Sequence, residues 1–255
     1  MARIIAIVNQ KGGVGKTTTT INVASWLAEF GKRVLIVDVD PQGNASSGLG
    51  LDYKNITKSM YDVLVDPNTR ITEVIKSYKP NFHILPANPD LAGASIDLVE
   101  HNNREYKLQE NLQEIIDLYD FILIDNPPSL GLLTINGLVA AREILIPVQC
   151  EYYALEGLSQ LLNTIELIQN HLQPDLKILG AVMTMYDGRN KLSSDVFNEL
   201  YQHFPSRIFR SVIPRNVRVA EAPSHGMPLK DYALNSVGAN AYKRLAQEII
   251  LTPVS

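Results

Sequence analysis

The stretch Arg3–Asn9, RIIAIVN, is a short, β-branched apolar run that leads straight into KGGVGKTT at Lys11–Thr18 and then into TTTTINVASWLAEFGKR. A run of that kind suits a parallel strand buried on both faces. Beyond the glycines, Ile21, Ala24, Trp26, Leu27 and Phe30 return at helical spacing, and Gly31 stands where helices commonly end. VLIVDVD at Val34–Asp40 then reads as a second buried strand. Strand, glycine loop, helix, strand is one βαβ unit. Its crossover is almost always right-handed, so residues 3–40 already commit the chain to a parallel sheet.

The loop misses the usual phosphate-cradling pattern G-x-x-x-x-G-K-[ST] by one residue. Gly15, Lys16 and Thr17 fit it, but position 10 is Gln10, and an additional lysine, Lys11, precedes the glycines. Several backbone N–H groups along Gly12, Gly13, Val14 and Gly15 must turn toward one anion, which residues without a Cβ permit. Lys16 supplies a charge for β- and γ-phosphates, Thr17 a hydroxyl for Mg²⁺, and the helix start a partial positive charge. Residues 10–18 are therefore expected to hold a nucleoside triphosphate.

Two further carboxylate positions support that expectation. Asp125 ends the apolar strand FILID, where a phosphate-loop protein keeps the aspartate that supports its magnesium through water. Asp38 and Asp40 end VLIVDVD, and Asp40 opens the loop DPQGN, whose proline and glycine hold it outside regular structure. Hydrolysis of a γ-phosphate needs a group that orients water, and Asp40 is the first choice.

Similar units follow. Strands are expected at Phe82–Leu85, Phe121–Asp125, Glu143–Pro147, Lys177–Met185 and Ser211–Pro214. Helices are expected near Pro89–His101, Lys107–Leu118, Thr134–Ala141, Ala154–Asn170, Leu192–His203 and Val237–Leu251. This alternation predicts an α/β fold with a doubly wound, mostly parallel sheet flanked by helices, and no linker or repeat divides residues 1–255 into more than one domain. Ligands on such sheets bind outside the carboxyl ends of the strands, where these candidate groups fall. The hydrophobic share of 45% suits a large core. No run resembles a signal peptide or a membrane span, so a cytoplasmic protein is expected. The single cysteine, Cys150, excludes an internal disulfide.

The net charge of −4 argues against nucleic acid, but its distribution does not. Residues 189–244 carry nine Lys/Arg against four acids, a local +5, and the remainder carries −9.

KGGVGKTT, VDVDPQGN, LIDNPPSLG, EYYALEGL and IPRNVRVAEAPSHGMP resemble, in order, the deviant Walker-A ATPases of the ParA/Soj partition family, over nearly the whole chain. The resemblance implies that Lys11 reaches across a homodimer interface to the partner's nucleotide, with Gly12 where the two subunits approach closely. A cation delivered into a dry seam between triphosphates acts far more strongly than one in water. It further implies that Lys11, Gly12, Gly13, Val14, Gly15, Lys16, Thr17 and Thr18 hold ATP and that Pro214 and Asn216 flank the adenine. Thr17 binds Mg²⁺ directly, Asp125 supports it from behind, and Asp40 positions the attacking water. Switch segments are implied at about 38–50 and 125–131. Asn126 departs from the Cys or Thr of many relatives.

Relatives of this length bind double-stranded DNA without sequence preference once ATP has paired them. The implied surface lies within 189–244 and includes Arg189, Arg218, Lys230, Lys243 and Arg244, whose contacts with phosphates give salt-sensitive affinity. A ParB-type centromere-binding protein is the implied partner, and nucleoid association the implied location. The alternatives are a MinD-like membrane ATPase and a small-molecule ligase or kinase. The first needs a basic amphipathic C-terminus, whereas AYKRLAQEIILTPVS offers only Lys243 and Arg244.

Overall fold

The computed structural model describes residues 2–150, 154–190, 196, 198, 200–202, 204 and 207–253. Among the described residues eight strands form one sheet: β1 (Arg3–Ile7), β2 (Val34–Asp38), β3 (Lys76–Lys79), β4 (Phe82–Leu85), β5 (Phe121–Asp125), β6 (Glu143–Gln149), β7 (Lys177–Tyr186) and β8 (Ile208–Pro214). Their order is β3-β4-β2-β5-β1-β6-β7-β8. Every neighbouring pair is parallel except β3 with β4.

Alternation along the central strands divides the core into two layers. Ile4, Ala6 and Val8 pack with Leu35, Val37, Ile122 and Ile124 on one face, beneath helices Lys107–Gln113, Leu132–Ala140 and Ala154–His171. Ile5 and Ile7 pack with Val34, Ile36 and Leu123 on the other, beneath α1 (Lys16–Glu29) and the C-terminal helix Val237–Leu251. With Ile5 and Ile36 wholly enclosed, truncating either to alanine removes about 2–5 kcal/mol, because a packed interior relaxes only partly around a cavity.

Register places the site. Ile7 lies opposite Asp125, and Asp125 opposite Asp38, so β1, β5 and β2 end side by side and present their following loops to one crevice. The order reverses about β1, with β6, β7 and β8 on its other side, as at the ligand-binding crevice of open α/β sheets.

The expected strands Phe82–Leu85 and Phe121–Asp125 and the helix Val237–Leu251 match their observed bounds. Other boundaries differ. The expected helix Pro89–His101 is a 3₁₀ turn, Pro89–Gly93, followed by one turn, Ala94–Asp97. The expected Lys107–Leu118 stops at Gln113, with a separate 3₁₀ turn at Ile116–Leu118. β3, KSYK, is a short lysine-bearing edge strand whose composition carries no apolar run; charged edges of this sort resist pairing with other chains. Residues 151–153 of EYYALEGL, and much of the expected helix Leu192–His203 with Lys191 before it, lie outside the described residues.

Candidate functional site

The glycine loop joins β1 to α1. Gly13 and Gly15 have φ of 75° and 91°, which a Cβ disfavours, and Gly15 caps the helix. Gly12 differs: its φ is not in the left-handed region, and a Cβ placed there would meet nothing within 4 Å. The far side of the loop is tied down by Thr184 at the end of β7, whose Oγ1 donates to the Val14 carbonyl at 2.7 Å. Lys11 is half-buried and its N–H donates to Asn9 Oδ1 at 3.0 Å.

Lys16 is buried, and its Nζ donates to the Lys11 carbonyl at 3.2 Å. Burial lowers its pKa, while the carboxylates of Asp125 and Asp40 act to raise it. Thr17 Oγ1 donates to Asp125 Oδ2 at 2.7 Å and Thr20 Oγ1 to Asp125 Oδ1 at 3.1 Å. Asp125 is fully enclosed; burial, reinforced by the charge of Asp38, lifts its pKa above the usual carboxylate range against these hydroxyl bonds. A cation arriving beside it would offset that desolvation.

Asp38 and Asp40, two residues apart, do different work. Asp38 is wholly buried and accepts from Ser46 N–H at 2.9 Å, Ser46 Oγ at 2.8 Å and Asp40 N–H at 3.2 Å, so it fixes the start of the 38–50 segment. Ser46 Oγ in turn accepts from Ala87 N–H at 3.1 Å. Asp40 Oδ1 accepts from Gln42 N–H at 2.9 Å, and Asp40 lines the crevice itself. The sequence alone groups Asp38 with Asp40 and Asp125 at the strand ends beside the glycine loop; its enclosure by Ser46 is a tertiary feature.

Two adjoining hollows result. One, of about 450 Å³, is lined by Gly12, Gly13, Lys16, Thr17, Asp40 and Asn44, among others. The other, of about 370 Å³, has Ile213, Pro214, Asn216, Val219 and Tyr242 in its walls. Gly15, Thr18, Met185 and Pro223 border both. A cleft bearing a lysine, threonine hydroxyls and a carboxylate, adjoining a pocket walled by Ile213, Pro214, Val219 and Tyr242, matches a polyphosphate carrying a flat base. Pro214 and Asn216 are thus brought to the same site as the glycine loop. Asn216 also caps the helix Val217–Glu221 by accepting from Arg218 N–H at 2.9 Å.

A family model described as an AAA domain matches residues 2–178. The chain is 52% identical to the sporulation initiation inhibitor protein Soj of Bacillus subtilis over 250 residues, covering 98% of each chain. It is 48% identical to the chromosome partitioning protein ParA of Myxococcus xanthus, over 98% of this chain and 88% of that one. The chain belongs to the Soj/ParA family of chromosome-partitioning ATPases. Among solved structures it resembles Mycobacterium smegmatis cobyrinic acid a,c-diamide synthase with bound ADP and magnesium, with a TM-score of 0.87 and 38% identity over 98% of this chain and 94% of that one.

The basic residues that the family resemblance singles out fall into two groups. Arg189 follows β7 and Arg218 follows β8; these strand ends adjoin, with Tyr186 opposite Pro214 and Arg215 N–H donating to the Tyr186 carbonyl at 3.0 Å. The Arg189 side chain is 91% exposed and pairs with Asp187 at 2.8 Å; Arg218 pairs with Glu221 at 2.9 Å. Lys230 and Lys243 share the Trp26 ring, with Nζ atoms 5.9 and 5.2 Å from its centroid. Lys230 is 13% exposed and is held by Glu29 at 2.8 Å and Asp231 at 3.3 Å. Arg244 is exposed on the C-terminal helix.

Asn126 is buried, its Nδ2 donating to the carbonyls of Ile7 and Ile124 at 3.2 and 3.1 Å, which ties the start of the 125–131 segment to the strand that feeds the glycine loop. Burial pushes the Cys150 thiol up to about 12, as befits a small core residue. Among the described residues no helix is long and apolar enough to cross a membrane.

Proposed function

We propose that this family member is an ATP-driven DNA-segregation switch: ATP closes a symmetric homodimer, the dimer binds double-stranded DNA through phosphate contacts, and hydrolysis stimulated by a ParB-type protein returns monomers. The observation that carries the reading is that Lys16, Thr17 and Asp40 line one cleft together with Gly12, while buried Asp125 stands behind Thr17, accepting from its hydroxyl, and Lys11 lies in the same loop.

Mg²⁺ fits the donor set. Thr17 hydroxyl and Asp125 carboxylate are hard oxygen donors within 2.7 Å of each other. Mg²⁺ takes oxygen ligands and usually keeps several waters, so phosphate oxygens and water would complete its shell beside these donors. Thr17 would hold the ion and Asp125 would support it, and the bound ion would neutralise charge on the β- and γ-phosphates.

In the mechanism, loop N–H groups and the start of α1 bind the phosphate chain. Lys16 Nζ transfers from the Lys11 carbonyl to phosphate oxygens. Asp40 orients water toward the γ-phosphate, and Lys11 completes the partner's site, countering the charge that develops on the transferring group. The subunits then separate once the γ-phosphate is gone. Arg189 and Arg218 supply DNA contacts without base readout, giving affinity that falls with salt.

The test is a salt titration of binding to random-sequence duplex with ATP, ADP and no nucleotide, for the parent and for Asp40→Ala. Binding that requires ATP, weakens with salt and persists longer in Asp40→Ala is expected. Equal binding in every nucleotide state would remove the switch.

A further inference from the structure

Among the described residues two non-glycine residues have positive φ, Asn103 at 57° and Met185 at 52°. Asparagine visits the left-handed region readily. Methionine does not, and a bulky side chain there marks either strain or a purpose.

The cause is visible in the β7–β8 pairing. Met183 lies opposite Val212 and Tyr186 opposite Pro214, so β7 spends one more residue than β8 over this interval and bulges at 184–185. Bulges re-aim side chains and recur beside active sites. This one is pinned on both sides. Thr184 is buried, donates to the Val14 carbonyl at 2.7 Å and accepts from Cys150 N–H at 3.3 Å; the Tyr186 carbonyl accepts from Arg215 N–H at 3.0 Å. The glycine loop, β6 and β8 together therefore impose the conformation of residue 185. Half-buried Met185 borders both the phosphate cleft and the nucleoside pocket, at their junction.

We propose that Met185 is a positioning residue for the nucleotide, held in a disfavoured backbone conformation so that its unbranched thioether side chain packs against the nucleoside between base and phosphates. The polarisable, flexible chain of methionine suits an apolar contact of irregular shape. This inference rests on the nucleotide reading of the site and adds a residue to it. Its signature is a trade: relieving the backbone should leave the empty protein as stable as before or more so while weakening nucleotide binding.

Full-length parent, Met185→Asn, Met185→Gly and Met185→Leu are compared by calorimetric melting without nucleotide and by titration with Mg²⁺ and ADP, a ligand that leaves ATP-driven pairing out of the measurement. Asn and Gly accept the left-handed conformation, so their Tm should equal the parent's or exceed it by up to about 4 °C. Their ADP affinity should fall about tenfold, the loss of one partly buried apolar side chain. Met185→Leu keeps apolar bulk and should bind within about threefold of the parent. ADP binding unchanged in both Asn and Gly variants would overturn the proposal. So would Tm and affinity falling together in both, which marks a residue that only supports the fold, or a leucine variant as weak as the glycine one. A parent that does not bind ADP would overturn the nucleotide reading itself, and this inference with it.

Discussion

Gly12 separates the fold of the glycine loop from its proposed use. At Gly13 and Gly15 the backbone needs a left-handed φ, so a side chain there costs roughly 1–2 kcal/mol whatever the surrounding space. At Gly12 neither constraint applies: φ is ordinary and a Cβ meets nothing within 4 Å. Gly12→Val should therefore change the stability of the monomer by less than about 1 kcal/mol, a Tm shift within about 4 °C. Gly15→Val should cost that backbone strain, since its Cβ would make only an ordinary contact with the Thr184 side chain at 3.8 Å. If two glycine loops face each other across the dimer, three added carbons at Gly12 stand in the seam and block closure. Differential scanning calorimetry, ADP titration and light scattering with ATP and Mg²⁺ distinguish these effects. The expected Gly12→Val protein melts near the parent, binds ADP and stays monomeric with ATP. Either of two results would refute the reasoning: a melting loss as large as that of Gly15→Val, or pairing with ATP as complete as in the parent.

Asp187 and Lys230 give two further tests. Arg189 holds the Asp187 carboxyl down to about 2 from its ordinary 3.8, by side-chain and backbone hydrogen bonds. Because the folded value is depressed, the pair's contribution is present above 3.8 and is lost as pH falls through about 2, and solvent screening keeps it small at this exposed site. Carboxyl NMR should show the Asp187 midpoint returning toward the ordinary value in Arg189→Ala; an unmoved midpoint contradicts the pairing. With Asp187 no longer competing for Arg189, Asp187→Asn should tighten duplex binding at low salt, read by fluorescence anisotropy, whereas unchanged or weaker binding places Arg189 away from DNA. Lys230→Ala should lower Tm, since Glu29, Asp231 and the Trp26 face lose their shared cation, with less effect on DNA affinity than Arg218→Ala; the reverse ranking in anisotropy would restore Lys230 to the DNA surface.

Much of this architecture is legible because its strands are buried on both sides. VLIVD and FILID read as continuous apolar runs, and the sheet places their terminal aspartates opposite one another. The glycine loop is equally plain, since Gly13 and Gly15 take the left-handed backbone that glycine adopts without steric cost. What escaped detection was short or depended on tertiary context. Helix Met60–Val65 did carry a signal, a capping box in which Ser59 Oγ accepts from Tyr61 N–H and Asp62 accepts from Ser59 N–H. The 3₁₀ turns and β3 had neither length nor apolar period to announce them. Asp38 looked like a companion to Asp40 because sequence shows which residues end a strand and not which way they face. The bulge at Met185 depends on the register between β7 and β8, which neither segment encodes alone. The family resemblance groups Lys230 with Arg189 and Arg218, although Glu29, its nearer carboxylate partner, comes from α1, far away in sequence.

Mixing two inactive variants tests most directly whether Lys11 acts across the dimer. Lys11→Ala retains Asp40, Asp40→Ala retains Lys11, and each alone should lack stimulated ATP hydrolysis. If Lys11 serves the partner's nucleotide, every mixed dimer has one complete site. Equimolar mixing should then recover at most about a quarter of the parental rate, as random pairing in a two-fold dimer dictates. No recovery, with mixed dimers shown to form, would contradict the account.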